Sequence, residues 1–193
     1  GQIRDVGYEL YQSMLEETIS KIRGGQIDVL TSMDNQWSPQ INLGVSVLIP
    51  ESYVADLDVR LGLYRRLSNL SKKVEFEGFA AELIDRFGKL PPEVNTLLLV
   101  VRIKSICKKA GIGKLDGGPK GATIQFHNDK FISPEGLVEF IKKQNGLAKI
   151  KDNKLIIKRE WKKNSDKFKG AFSIARDLAE IAVSYEKNSS TKN

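Results

Sequence analysis

The chain has 193 residues, 40% of them hydrophobic, enough for one good core or a core with a small satellite. It has no apolar run of about 18 residues that could span a bilayer, and Gly1 to Gly7 is too polar for a secretory leader. One cysteine, Cys107, and one histidine, His127, exclude a disulfide framework and leave a structural zinc site short of ligands; a reducing, cytoplasmic setting is expected. The net charge of +7 is unevenly placed: residues 1–110 balance 14 Lys/Arg against 14 Asp/Glu, whereas residues 111–193 carry 17 against 10. The opening Gly1-Gln2-Ile3, without a methionine, is expected of a piece of a longer polypeptide.

In chain order, Tyr8, Tyr11, Leu15, Ile19 and Ile22 recur at helical spacing, and the helix is expected to stop at Gly24-Gly25. Residues 26–38 lose all periodicity and read as a linker. Ile41, Leu43, Val45, Val47 and Ile49 alternate as in a half-buried strand closed by Pro50. Beyond it, Val54, Leu57, Leu61, Tyr64 and Leu67 or Leu70 predict one face of a helix, with Arg60, Arg65 and Arg66 outside it, solvated or paired with nearby acids.

The stretch FAAELIDRFGKLPPEV, residues 79–94, carries the densest information. Phe76, Ala80, Leu83, Ile84 and Phe87 mark one face of a helix, and Glu82, Asp85 and Arg86 fall on the other. Gly88 suits a left-handed cap, and Pro91-Pro92 suits the first turn of a second helix, so an elbow between two helices is predicted. That second helix, to Ala110, has Val94, Leu97, Leu98, Val101, Ile103 and Ile106 and should be the most buried element, with Lys104, Lys108 and Lys109 favourable at its negative pole.

The remainder changes texture. Strands are predicted over residues 112–116 and 122–126 around Gly117-Gly118-Pro119. Ser133-Pro134-Glu135 should open a helix with Leu137, Phe140 and Ile141 inward, ended by Gly146. A hairpin over residues 147–158 should turn at Asp152-Asn153. A last amphipathic helix over residues 166–185 precedes a polar tail, residues 187–193, expected to fray. The fold class is α+β: a helical core around the elbow, small antiparallel hairpins and a carboxyl-terminal helix.

No catalytic site emerges. In GIGKLDGGPKG, the lysines at 114 and 120 lack a following Ser or Thr, and no helix follows to receive phosphates, so the segment reads as a hairpin and not a nucleotide loop. His127 has no nucleophile beside it, and Trp37 and Trp161 fit either a lid on the core or an interface anchor. Two binding readings remain: a mixed-charge helix face at Glu82, Asp85 and Arg86, and a nucleic-acid surface in the basic half through Lys149, Lys151, Lys154, Lys158, Arg159, Lys162 and Lys163.

The segments GYELYQSMLEETI, IPESYVADLDVRLGLYRRL and AELIDRFGKLPPEVNTLL together resemble the carboxyl end of bacterial transcription-repair coupling factors. The resemblance implies that residues 1–25 are an exit helix from a motor region, and that residues 39–186 form a regulatory domain without catalysis of its own. The intact family member would be an ATP-driven translocase on double-stranded DNA, with ATP and magnesium in its motor and none in this segment, that displaces stalled RNA polymerase and recruits UvrA. By the same resemblance the domain, expected to be monomeric, docks on the amino-terminal UvrB-like module and hides the UvrA surface. The family's contacts fall on the elbow helix, at Glu82, Asp85 and Arg86 of this chain.

Overall fold

A computed structural model describes residues 37–45 and 47–192. The expected amino-terminal helix and most of the linker lie outside these residues. The described residues fall into two compact units, one containing residues 44–102 and the other residues 38–43 with 103–192. Each has its own core.

The first unit is helical. Asp56 accepts a 2.9 Å hydrogen bond from the Val59 N–H and so caps helix α1, Leu57–Ser68. The helix was expected from about Pro50; instead the chain turns through Pro50 to Ala55, where Tyr53 and Val54 donate to the Pro50 carbonyl. The buried stripe is therefore Leu63, Tyr64 and Leu67, and Leu57 is 54% exposed. Helix α2, Lys73–Phe87, starts where Glu75 accepts from the Lys72 N–H at 2.9 Å, one half of a capping box, and buries Phe76, Phe79 and Leu83. Its end is sharp: Gly88 has φ +92° and ψ −167°, a conformation open to glycine but not to residues with a Cβ, and its N–H bonds the Ile84 carbonyl at 2.9 Å. The predicted positive φ is there, in a more extended form than a left-handed helical cap.

Pro92 then begins helix α3, Pro92–Ala110, as the missing N–H of a first-turn proline allows. Its residues Val94, Leu97 and Val101 join Phe76, Phe79, Leu83 and Leu67 in one core, along with Val47, Ile49 and Val54. Fully burying a leucine such as Leu67 or Leu83 contributes roughly 1.5–3 kcal/mol. Within that core the Tyr64 hydroxyl accepts from the Ile49 N–H at 2.6 Å, so the strand-like run ahead of α1 is held by a side chain and not by a ladder.

The second unit is a five-stranded sheet with helices on one face. Its strands are β1 (Gln40–Asn42), β2 (Ile112–Gly118), β3 (Gly121–Phe126), β4 (Ala148–Lys151) and β5 (Lys154–Lys158), in the order β1-β2-β3-β5-β4. Only β1 runs parallel to its neighbour. The strand expected over residues 41–49 stops at Asn42, because Gly44, at φ +68°, turns the chain out of the ladder. Leu43, Val47 and Ile49 are nonetheless buried, so the alternation reported burial correctly and pairing incorrectly.

Helix α4, Pro134–Lys143, has the predicted start: the Ser133 hydroxyl accepts from the Gly136 N–H at 3.1 Å and Pro134 occupies the first turn. The β4–β5 turn is Asp152-Asn153, with φ +53° and +59°, the double positive φ of a two-residue hairpin. Helix α5, Asn164–Ser190, buries Phe168, Ala171, Ile174, Ala175, Leu178 and Ala182, whereas Tyr185 is 44% exposed. Register puts Leu115, Ala122, Ile124, Leu155 and Ile157 on the sheet face covered by α4 and α5. Lys114, Thr123, Gln125, Lys149, Lys151, Lys154 and Lys158 lie on the other.

A charged helix face as the candidate docking site

Glu82, on α2, is held by two arginines. Arg66 of α1 grips it with both nitrogens, Nη1 to Oε2 at 2.6 Å and Nη2 to Oε1 at 2.7 Å, and Arg86, one turn along α2, reaches Oε2 at 3.0 Å. The fork-on-carboxylate geometry is the strongest form of this pairing. Hydrogen bonds from Arg66, then from Arg86, hold the Glu82 carboxyl well below the usual range, at about 2, and the same carboxylate raises the Arg66 guanidinium. Each guanidinium also lies over a ring: Arg66 is 5.2 Å from the Phe79 centroid and Arg86 4.8 Å from that of Phe87.

The base of this ladder is fixed by Tyr53. Its hydroxyl stands 2.7 Å from the Gly88 carbonyl and 3.0 Å from the Leu83 carbonyl, one proton facing two acceptors at the end of α2. Its ring meets Phe87 edge-on at 5.7 Å and 63°. Sequence reasoning placed Arg66 outside its helix but named no partner, since the pairing crosses 16 positions and belongs to the packing of α1 on α2.

Asp85 stands apart. It is exposed, and among the described residues it makes no hydrogen bond or ion pair. On the wheel of α2 it continues the row Val74, Gly78, Ala81, none of which has a long side chain; Val74 is 67% exposed, and a Cβ added at Gly78 would meet nothing within 4 Å. Ile84, expected on the core face, is instead 51% exposed, because the buried stripe runs through Phe76, Phe79 and Leu83 and leaves it on the flank. So of the three residues singled out by the helical face, Glu82 and Arg86 are joined to each other and Asp85 is free to meet something else.

The basic candidates separate in the same way. Lys149, Lys151, Lys154 and Lys158 share the open sheet face and are exposed; Lys162 and Lys163 follow the sheet and are exposed too. Arg159 is engaged internally, donating to the Lys158 carbonyl at 2.9 Å and to Gln144 Oε1. GIGKLDGGPKG forms β2, a turn at Pro119-Lys120 and the first residue of β3, so it is a hairpin whose strands extend past the expected Gly117-Gly118-Pro119 turn. Trp161 is buried against Gly170 and Gly117 and so belongs to the core. Cys107 is buried, which pushes its thiol far up. Among the described residues no group of three or more His, Cys, Asp or Glu side chains could hold a metal ion, and no helix is long and apolar enough to cross a membrane.

Comparison with known proteins gives these features a setting. Residues 43–137 match the TRCF domain family, a span that contains α1, α2, α3 and the β2–β3 hairpin. The chain is 46% identical over 166 residues to the transcription-repair-coupling factor of Rickettsia conorii, covering 85% of this chain and 14% of that protein. It is 32% identical over 144 residues to that of Escherichia coli K12, covering 75% and 12%. It thus spans about one-seventh to one-eighth of the length of these two relatives. The crystal structure of a carboxyl-terminal domain of transcription-repair coupling factor shares its fold, with a TM-score of 0.64 at 22% identity, over 77% of this chain and 96% of that one. The family match and the identity to these relatives show that the chain belongs to the transcription-repair coupling factor family.

Proposed function

We propose that this chain is a non-catalytic regulatory module of a bacterial, cytoplasmic transcription-repair coupling factor, acting in transcription-coupled nucleotide excision repair. It docks through the α2 face on the amino-terminal UvrB-like module of the same polypeptide. Docking hides the surface that UvrA needs and holds the ATP-dependent DNA translocase in check until RNA polymerase is engaged. ATP and magnesium belong to the motor region and would find no nucleotide loop in this segment.

The observation that carries the reading is Asp85, an unpaired exposed carboxylate at the end of a ridge bare of long side chains, next to two arginines already locked in place by Glu82. The ridge lets a partner come close to the helix, Asp85 offers a charge to a basic side chain, and the preformed ladder presents arginine edges without further ordering cost. A contact of this kind is modest by itself. Tethering within one polypeptide raises the effective concentration enough to keep it closed, yet leaves it able to open.

The test is calorimetric titration of the chain against the separately expressed UvrB-like module at low and moderate salt. Asp85→Arg should weaken binding at least tenfold while leaving the circular dichroism spectrum intact. Equal affinity for the two proteins would refute the assignment of α2 as the docking face.

A further inference from the structure

We propose that the open face of the five-stranded sheet binds the phosphate backbone of double-stranded nucleic acid without regard to sequence. The register carries the argument. Antiparallel pairing of Lys151 with Lys154 and of Lys149 with Ile156 puts Lys149, Lys151, Lys154 and Lys158 on the face opposite to that covered by α4 and α5. All four are exposed, and among the described residues none has a side-chain hydrogen bond or ion pair. Lys114 of β2 shares the face, 3.8 Å from Asp116, the one acidic residue that β1–β5 place there.

A structural explanation accounts for only part of this. Lysines on an edge strand discourage edge-to-edge pairing, which covers Lys149 and Lys151 on β4. Lys154 and Lys158 on β5 and Lys114 on β2 are on interior strands, where edge protection has no role and lysine is disfavoured in a strand. Unpaired like charges about 5–7 Å apart along and across neighbouring strands repel one another, and a polyanion relieves that cost. The lysines spread as point charges over a flat face, which suits backbone phosphates and demands no particular base.

The kind of nucleic acid follows from what accompanies the lysines. Thr123, Gln125 and the half-buried Ile156 are their neighbours, with no aromatic ring on this face of β1–β5. Sheets that bind single strands stack bases on exposed aromatic rings, and this face lacks that platform, so duplex is favoured. Arg159 is half-buried with its guanidinium already bonded to Lys158 and Gln144, and Lys162 and Lys163 lie beyond the last strand. The surface is independent of the α2 docking face, and either assignment can fail without the other.

The test is fluorescence anisotropy of the full 193-residue chain with a labelled random-sequence duplex over a range of salt. Binding at low salt should weaken steeply as salt rises. Lys149, Lys151, Lys154 and Lys158 all changed to Gln should flatten the slope of log affinity against log salt by about 3 to 4, from some 0.9 per phosphate contact. Lys89, Lys143, Lys187 and Lys192 changed to Gln remove the same charge from exposed positions off the sheet and should leave the slope as it is. Acetylation mapping of the unaltered chain should show the four sheet lysines protected by duplex. The proposal is overturned if the unaltered chain does not bind, if the two quadruple variants lose slope equally, if the sheet lysines are not protected, or if a single strand displaces the duplex more tightly than duplex itself.

Discussion

Replacing Glu82 by Gln should cost stability at neutral pH and cost little in acid. The carboxylate of Glu82 titrates at about 2 in the folded chain, against roughly 4.3 for an unperturbed glutamate. A folded value lowered in this way contributes stability that is complete above the unfolded pKa and is lost as pH falls through the folded one, here between about pH 5 and pH 2. Taken at face value the shift corresponds to about 3 kcal/mol. The side chains are 34% exposed for Glu82, 49% for Arg66 and 44% for Arg86, so solvent screens the ladder and about 1 kcal/mol is the reasonable share. Urea unfolding of the unaltered chain and of Glu82→Gln at pH 7 and again near pH 3 reads the difference directly. The gap should be about 1 kcal/mol at neutral pH and should shrink in acid. A gap that is constant with pH would refute the ladder as an electrostatic device and reduce it to packing.

Three further outcomes can be checked with less effort. Gly170→Ala should lower thermal stability although alanine favours helix: its Cβ would stand 2.3–2.6 Å from ring atoms of Trp161, so overpacking of about 1–3 kcal/mol outweighs a helix gain of about 1 kcal/mol. Cys107, 0% exposed with its thiol pushed up by burial, should react with a disulfide reagent only as fast as its helix opens, and reach full speed in denaturant. Gly78→Trp should fold and melt no lower than the unaltered chain, since the position faces open space and a helical glycine is lost, but should abolish measurable docking on the UvrB-like module; retained docking would place the contact elsewhere.

How much of this was legible in the sequence depended on whether the signal was local. The Gly88 stop, the Pro92 start, the Ser133–Pro134 opening and the Asp152-Asn153 turn are each decided by the backbone preferences of one or two residues, and each occurs where it was expected. Signals that needed a partner did less well. Alternation from Ile41 to Ile49 recorded burial, but whether a buried extended run pairs depends on what lies beside it, and Gly44 takes it off the sheet. Leu57 and Ile84 fit an apolar wheel yet are exposed, because a helix of period 3.6 admits several stripes and only the neighbouring helix selects one. Arg66 stayed anonymous for the same reason: nothing in the spacing tells one outward arginine from another. The wheel did bring together Glu82, Asp85 and Arg86, although it could not tell that two of them are bound to each other.

That distinction changes what a mutation at each position reports. Glu82 holds Arg66 and Arg86 in place, so its removal loosens two cations at once and, under the proposed docking, should alter both stability and docking. Asp85 makes no hydrogen bond or ion pair among the described residues, so under the proposed docking a charge reversal there should alter docking alone. Salt by itself cannot separate the two proposed surfaces, because contacts through the α2 ladder and through the sheet lysines both weaken as ions screen them. The variants can. Asp85→Arg leaves the sheet lysines untouched and should keep duplex binding at full strength, and the four lysine-to-glutamine changes leave α2 untouched and should keep docking on the UvrB-like module. Asp85→Arg adds two positive charges and the four lysine changes remove four, so if the two variants instead moved each activity in opposite directions, the partners would be reading the overall charge of the chain, and neither face would be a site.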